Sequence, residues 1–423
     1  ATTAETSACP MLGGDRCTLV TIATPPIRTH QFSDASASLT SRSLLVESPG
    51  YRLRVTQKGK GTEAPLITHI VGARPNFPKA APVIRALETA PVTQRLLHTG
   101  QHYDDALSDS FFRDLDLPRP DVNLGVGSGT HAQQTAALLT AIEAEIESTR
   151  PALLVVYGDI NSTLAAALVA SKLGVPLAHV EAGLRSFDRT MPEETNRVIT
   201  DLLSDLLFTT SPEAAENLSR EGVSKDRIHF VGNPMIDTLL KHRDGFNPQP
   251  VLEWLGVEGE YAVVTLHRPA NVDDREHAGG LVAALEKASE SINLILPLHP
   301  RGRASLSDQG LTEVANVNVI DPLGYLDFMS LVSGARAVVT DSGGVQEETT
   351  MLGIPCLTMR PNTERPVTIA QGSNRLVNPS NLADALGGVL SGQFTSPGQL
   401  PPLWDGHAGG RISAVISDWI QTR

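Results

Sequence analysis

From Leu66 onward, short apolar runs alternate with stretches whose hydrophobic positions recur every three to four residues. Runs of four to eight apolar residues bounded by breakers read as buried strands, and the intervening periodicity reads as amphipathic helix. Strands are predicted near 66–72, 94–99, 152–158, 175–180, 205–210 and 228–231, with helices between them, notably over 78–89, 131–148, 161–172 and 193–204. A polar, proline-containing stretch from Asp244 to Pro250 then interrupts the pattern and reads as a linker. A second series follows, with strands near 261–266, 292–298, 317–320, 336–340 and 355–358 and helices between them. Repeated strand–helix units imply parallel sheets covered on both faces, so the expected class is α/β with two Rossmann-like halves facing a cleft. Residues 65–243 form the first half in this scheme, 244–405 the second, and 406–423 a C-terminal helix centred on Ile412–Ile420.

Residues 1–64 break the scheme. They are rich in Ser, Thr and Ala without clear periodicity, and are expected to form a poorly ordered or loosely attached extension. The chain of 423 residues carries a formal charge of −13, which argues against nucleic acid or an anionic membrane as the main partner. No apolar run approaches the roughly 20 residues needed to span a bilayer. Cys9, Cys17 and Cys356 give neither a disulfide framework nor zinc spacing, which fits a reducing cytoplasm.

The chemistry gathers at strand ends. In open α/β sheets, ligands bind beyond the carboxyl ends of the strands. Asp159 closes the apolar run Leu153–Tyr157, and Glu181 lies where the run through Val180 should end before Gly183. Pro192 then opens an amphipathic helix in which the spacing of four puts Glu193 and Arg197 on one face. Three carboxylates and an arginine suggest proton transfer on an anionic ligand. In the second half, the strand ending at Thr340 runs through Ser342, Gly343 and Gly344 into a helix, a junction suited to phosphate because free N–H groups point out of the helix start. Glu348 on that helix would repel a phosphate and suits a ribose diol better. Arg74, directly after the first strand, is placed for a diphosphate, and His267 with Arg268 stands at another strand end on the cleft side. Gly125–Gly129 lacks a convincing strand before it, and the Asp114-Leu-Asp116 triplet reads as solvated surface rather than a metal site.

Nine motifs in order bring a family into view. They are Gly72–Pro75, Thr99–His102, Gly158-Asp159, His179–Arg185, Pro192–Arg197, Gly232–Asp237, Leu266–Arg268, Thr340–Glu348 and Met359–Pro366. Over about residues 66 to 420 the chain resembles the non-hydrolysing UDP-N-acetylglucosamine 2-epimerases. The resemblance implies the GT-B arrangement, a homodimer, no cofactor and no metal. It also implies interconversion of UDP-N-acetylglucosamine and UDP-N-acetylmannosamine by elimination of UDP to 2-acetamidoglucal and re-addition. On that resemblance Asp159, Glu181 and Glu193 take the catalytic positions and His267 assists the departing UDP. Arg74, Ser342, Gly343 and Glu348 fall on UDP-binding positions, and Arg197 is expected to orient Glu193 or the diphosphate. Two departures stand out. Asn76 replaces the acid usual after Arg-Pro, and Asp104 replaces the second glutamine of an allosteric Gln-x-x-Gln pattern that begins at Gln101. A hydrolysing epimerase and a GT-B glycosyltransferase acting on a UDP-sugar are the alternative activities.

Overall fold

The computed structural model describes residues 41–48, 51–58, 64–101, 105–268, 275–298, 300–394 and 398–423. The chain divides into two compact units, Ala1–Glu63 and Ala64–Arg423. In the first, β1 (Ser41–Ser48) and β2 (Tyr51–Lys58) pair as an antiparallel hairpin, a regular element that the weak periodicity does not signal. The rest of the expected extension lies outside the described residues, as does Asp104.

The second unit contains two parallel sheets. Strands β3 (Leu66–Val71), β4 (Thr93–His98), β5 (Val122–Asn123), β6 (Leu153–Tyr157), β7 (Leu177–Ala182), β8 (Leu206–Thr209) and β9 (Ile228–Phe230) form the first, in the order β5-β4-β3-β6-β7-β8-β9. The other contains β10 (Tyr261–Thr265), β11 (Asn293–Pro297), β12 (Val317–Ile320), β13 (Ala337–Thr340), β14 (Cys356–Met359) and β15 (Asn374–Val377), in the order β12-β11-β10-β13-β14-β15. Both are doubly wound, GT-B-like sheets. In each, the order reverses beside the first strand, leaving a crevice between β3 and β6 and another between β10 and β13. Central strands are apolar throughout because both faces are covered: every residue of β6 and β13 is buried.

The C-terminal helix, Ala408–Gln421, lies within the expected segment and packs on the first half, against the helix Phe77–Leu87. Asp237 of the Gly232–Asp237 motif accepts from the backbone N–H of Ala408 (3.1 Å) and Gly409 (2.7 Å), satisfying the start of that helix from a distance. Gly409 is needed because a Cβ there would collide with the carbonyl of Pro82. Two further bonds fasten the return: Ser413 Oγ donates to the Ala86 carbonyl at 3.0 Å, and Trp404 Nε1 to the Thr210 carbonyl at 2.9 Å. Among the described residues no helix is long and apolar enough to cross a membrane.

Candidate active site

Glu181 does not end its strand. Strand β7 continues to Ala182 through a register shift against β8, and at the shift Glu181 adopts φ 75°. A left-handed conformation in a residue other than glycine costs on the order of 1–3 kcal/mol and survives only where the surroundings over-determine it. The result is a carboxylate turned out of the sheet and buried, ion-paired to Lys79 on one oxygen and to Arg365 on the other. Lys79 lies on the helix that follows β3, so both sides of the β3–β6 crevice meet at Glu181. Arg365 arrives from the loop after β14 in the other half, and also pairs with Glu347 (3.1 Å) and Glu364.

Asp159, 27% exposed, follows β6. Its Oδ2 accepts from Arg197 Nε at 3.1 Å and from the Arg197 guanidinium at 2.5 Å. Burial opposes ionisation of Asp159, but Arg197 and then Lys79 outweigh it and hold the carboxyl below its ordinary range. The expected link between Arg197 and Glu193 is absent. Arg197 instead pairs with Glu194 at 2.5 Å, and Glu194 in turn accepts from the backbone of Ser186 and Phe187. The helix Pro192–Leu203 turns Glu194 and Arg197 into the protein, whereas Glu193, one residue earlier, is half-buried and makes no hydrogen bond among the described residues. Its charge is felt across the cleft by His267 and Arg268.

His267 follows β10 and keeps 61% of its side chain open while Nδ1 meets Asp341 Oδ1 at 2.7 Å. Asp341 itself is fully buried after β13 and also accepts from the backbone N–H of His267 and Arg268. Desolvation pulls the imidazole pKa down, but the Asp341 carboxylate more than offsets it, so His267 is held above its ordinary value. Next to it, Ser342 stands at the N-cap position of the helix Gly343–Leu352 without a side-chain capping bond, and the first N–H groups, those of Gly343 and Gly344, lie at the carboxyl end of β13. Glu348 is more enclosed than its expected ribose role suggested: it is 4% exposed, accepts from the Tyr325 hydroxyl at 3.0 Å, and burial lifts its pKa to about 8. Arg74 sits in a single helical turn directly after β3.

Asn76, the first departure, is explained by its two amide ends. Oδ1 accepts from Gly72 N (3.0 Å) and Ala73 N (3.2 Å), while Nδ2 donates to the Tyr157 carbonyl at 2.8 Å, joining the ends of β3 and β6. A carboxylate has no hydrogen to offer Tyr157. Gln101 is likewise committed: its Oε1 accepts from Ser162 N (3.0 Å) and Ser162 Oγ (2.8 Å) at the start of the helix Asn161–Leu173. Asp116 pairs with Lys241 at 2.7 Å.

Lys79, Arg365 and Asp201 are not singled out by the sequence pattern. Lys79 is a buried cation in an otherwise apolar helix face, a signal present in Phe77–Ala81, and Arg365 lies in the Met359–Pro366 motif, to which the spacing assigns no role.

A model of the UDP-N-acetylglucosamine 2-epimerase family matches residues 85–417. The chain belongs to that family. It is 40% identical to the UDP-N-acetylglucosamine 2-epimerase of Methanocaldococcus jannaschii over 360 residues, 82% of this chain and 98% of the relative. It is also 40% identical, over 362 residues, to the UDP-2,3-diacetamido-2,3-dideoxy-D-glucuronate 2-epimerase of Pseudomonas aeruginosa, covering 84% of this chain and 99% of that one. The M. jannaschii enzyme crystallised with UDP-N-acetylglucosamine and UDP superposes with a TM-score of 0.78 at 40% identity, spanning 84% of this chain and 99% of that one.

Proposed function

We propose that this protein interconverts UDP-N-acetylglucosamine and its 2-epimer by elimination and re-addition of UDP. The observation that supports this most is the position of Glu181: a buried carboxylate on left-handed backbone, paired with Lys79, whose charge Asp159 also feels, and reached by the second half through Arg365. In the first step a carboxylate takes the C2 proton, the C2–H electron pair forms the C1=C2 double bond, and the C1–O bond breaks with its electrons leaving on UDP. In the second, UDP oxygen adds back to C1 and a proton is delivered to the opposite face of C2. Two faces require at least two acid/base groups, drawn from Asp159, Glu181 and Glu193. Individual acid and base roles among the three are left to the exchange experiment.

In this reading His267, whose protonated form Asp341 favours, stands by the leaving diphosphate. Arg74 and the N–H groups of Gly343 and Gly344, with the Ser342 hydroxyl, hold its oxygens. Glu348, neutral over most of the physiological range, serves the ribose as both donor and acceptor. The equal identity to the P. aeruginosa relative supports a second reading of the sugar alone, a 2,3-diacetamido uronate in place of N-acetylglucosamine. Incubation with each UDP-sugar, following both epimers, free UDP and free N-acetylmannosamine, separates these readings. Equilibrating epimers with no net release of UDP meet the proposal; stoichiometric free UDP and free sugar would identify a hydrolysing enzyme instead.

A further inference from the structure

The stretch His179–Arg185 carries one candidate catalytic residue, yet three of its other residues converge on a single buried acid, Asp201. His179 Nδ1 meets Asp201 Oδ1 at 2.7 Å, Gly183 N donates to Asp201 Oδ2 at 3.0 Å, and Arg185 donates to the same oxygen at 2.7 Å. The other ring nitrogen of His179, Nε2, meets the carbonyl of Gly158, the residue before Asp159, at 2.8 Å. His179 and Asp201 are enclosed, at 0% and 1% side-chain exposure, so neither touches a ligand. Together they tie the main chain before Asp159 to the main chain two residues after Glu181, on both sides of the left-handed backbone.

The helix that carries Asp201 completes the frame. From the same element, Asn196 donates to the Asp159 carbonyl at 2.8 Å, Arg197 holds the Asp159 carboxylate, and the charge of Glu193 is felt by His267 and Arg268. One helix thus sets the relative positions of three acids that stand on three different elements. Arg185 extends the chain outward to Glu221, with bonds of 2.7 and 2.6 Å, which anchors the outer end of the frame to the protein surface.

We propose that His179 and Asp201 are positioning residues, whose hydrogen-bonded pair fixes the separation and direction of the Asp159 and Glu181 carboxylates. The inference rests on the proton-transfer reading given above. It differs from a merely stabilising ion pair in what its loss does. A displacement of about 1 Å between reacting groups costs on the order of 10²-fold in rate while ground-state binding is retained.

The test uses the full chain with Asp201→Ala, Asp201→Asn and His179→Gln. UDP-binding sites are counted by calorimetry, and kcat per site and KM are measured with UDP-N-acetylglucosamine. Asp201→Ala is expected to lower kcat per UDP-binding site by about 10²-fold with KM within roughly threefold of wild type. Asp201→Asn keeps an oxygen for Gly183 and Arg185 and offers its amide hydrogen to Nδ1, so it is expected to recover most of the loss. If Asp201→Ala does not fold, His179→Gln is read in its place, with the same direction expected. Wild-type kcat per site in these variants, or an equal loss in Asp201→Asn and Asp201→Ala, would overturn the positioning role. A wild-type protein that exchanges no hydrogen at C2 overturns the reading of the site itself, and this proposal with it.

Discussion

Arg365, from the loop after β14, donates to Glu181 next to the last residue of β7, so a cation of the second sheet's half holds a carboxylate on left-handed backbone of the first. The same guanidinium serves Glu347 and Glu364. Breaking a buried pair leaves uncompensated charge and costs about 3–5 kcal/mol. Arg365→Ala is therefore expected to lower the melting temperature and to abolish turnover. Arg365→Lys, a point charge without the planar fork, is expected to recover only part of the stability. Unchanged melting in Arg365→Ala would show that the contact does not hold the halves together.

His267 provides a test in pH. Asp341 keeps the imidazolium form to higher pH than an isolated histidine. If that proton assists departure of UDP, activity falls on the alkaline side as His267 deprotonates. Asp341→Asn removes the raising charge, so the alkaline limb of kcat should move to lower pH. A limb at the same pH in both proteins would exclude His267 from that role.

Glu348 makes the opposite kind of prediction, for stability. Burial raises its pKa from an ordinary 4.5 to about 8. Between those values the unfolded chain has lost the proton and the folded chain keeps it, so this group subtracts stability progressively as pH rises from about 4.5 to 8. Glu348→Gln does not titrate. The melting temperature of the variant minus that of wild type is expected to grow from pH 5 to pH 8; a constant difference would contradict the buried neutral acid.

Much of this site is legible in the amino-acid sequence. Runs such as Leu153–Tyr157 are apolar because parallel strands are covered on both faces, and an acid directly after such a run has few places to go but the crevice. The features that the pattern hides have physical reasons. The edge strands Val122–Asn123 and Asn374–Val377 are too short or too polar to show a period. Arg197 and Glu193 share a helix face by spacing, but spacing does not reveal that Asp159 and Glu194 compete for the guanidinium. Asp201, eight residues after Glu193, lies on that face too. Its partners come from β7 and the residues just after it, and pairing across elements leaves no local trace.

Turnover of UDP-N-acetylglucosamine in heavy water tests the central claim most directly. Carboxylates that remove the C2 proton and return one from a solvent-equilibrated group must place deuterium at C2 of the 2-epimer. Asp159→Asn, Glu181→Gln and Glu193→Gln keep side-chain shape but remove the acceptor. Each should slow that incorporation by roughly 10²–10⁴-fold while UDP still binds. Deuterium at C2 in essentially every product molecule, read by mass spectrometry and proton NMR, is the predicted result. Product that retains only its original hydrogen at C2 after many turnovers would contradict elimination and re-addition, and with them the roles given to Asp159, Glu181 and Glu193.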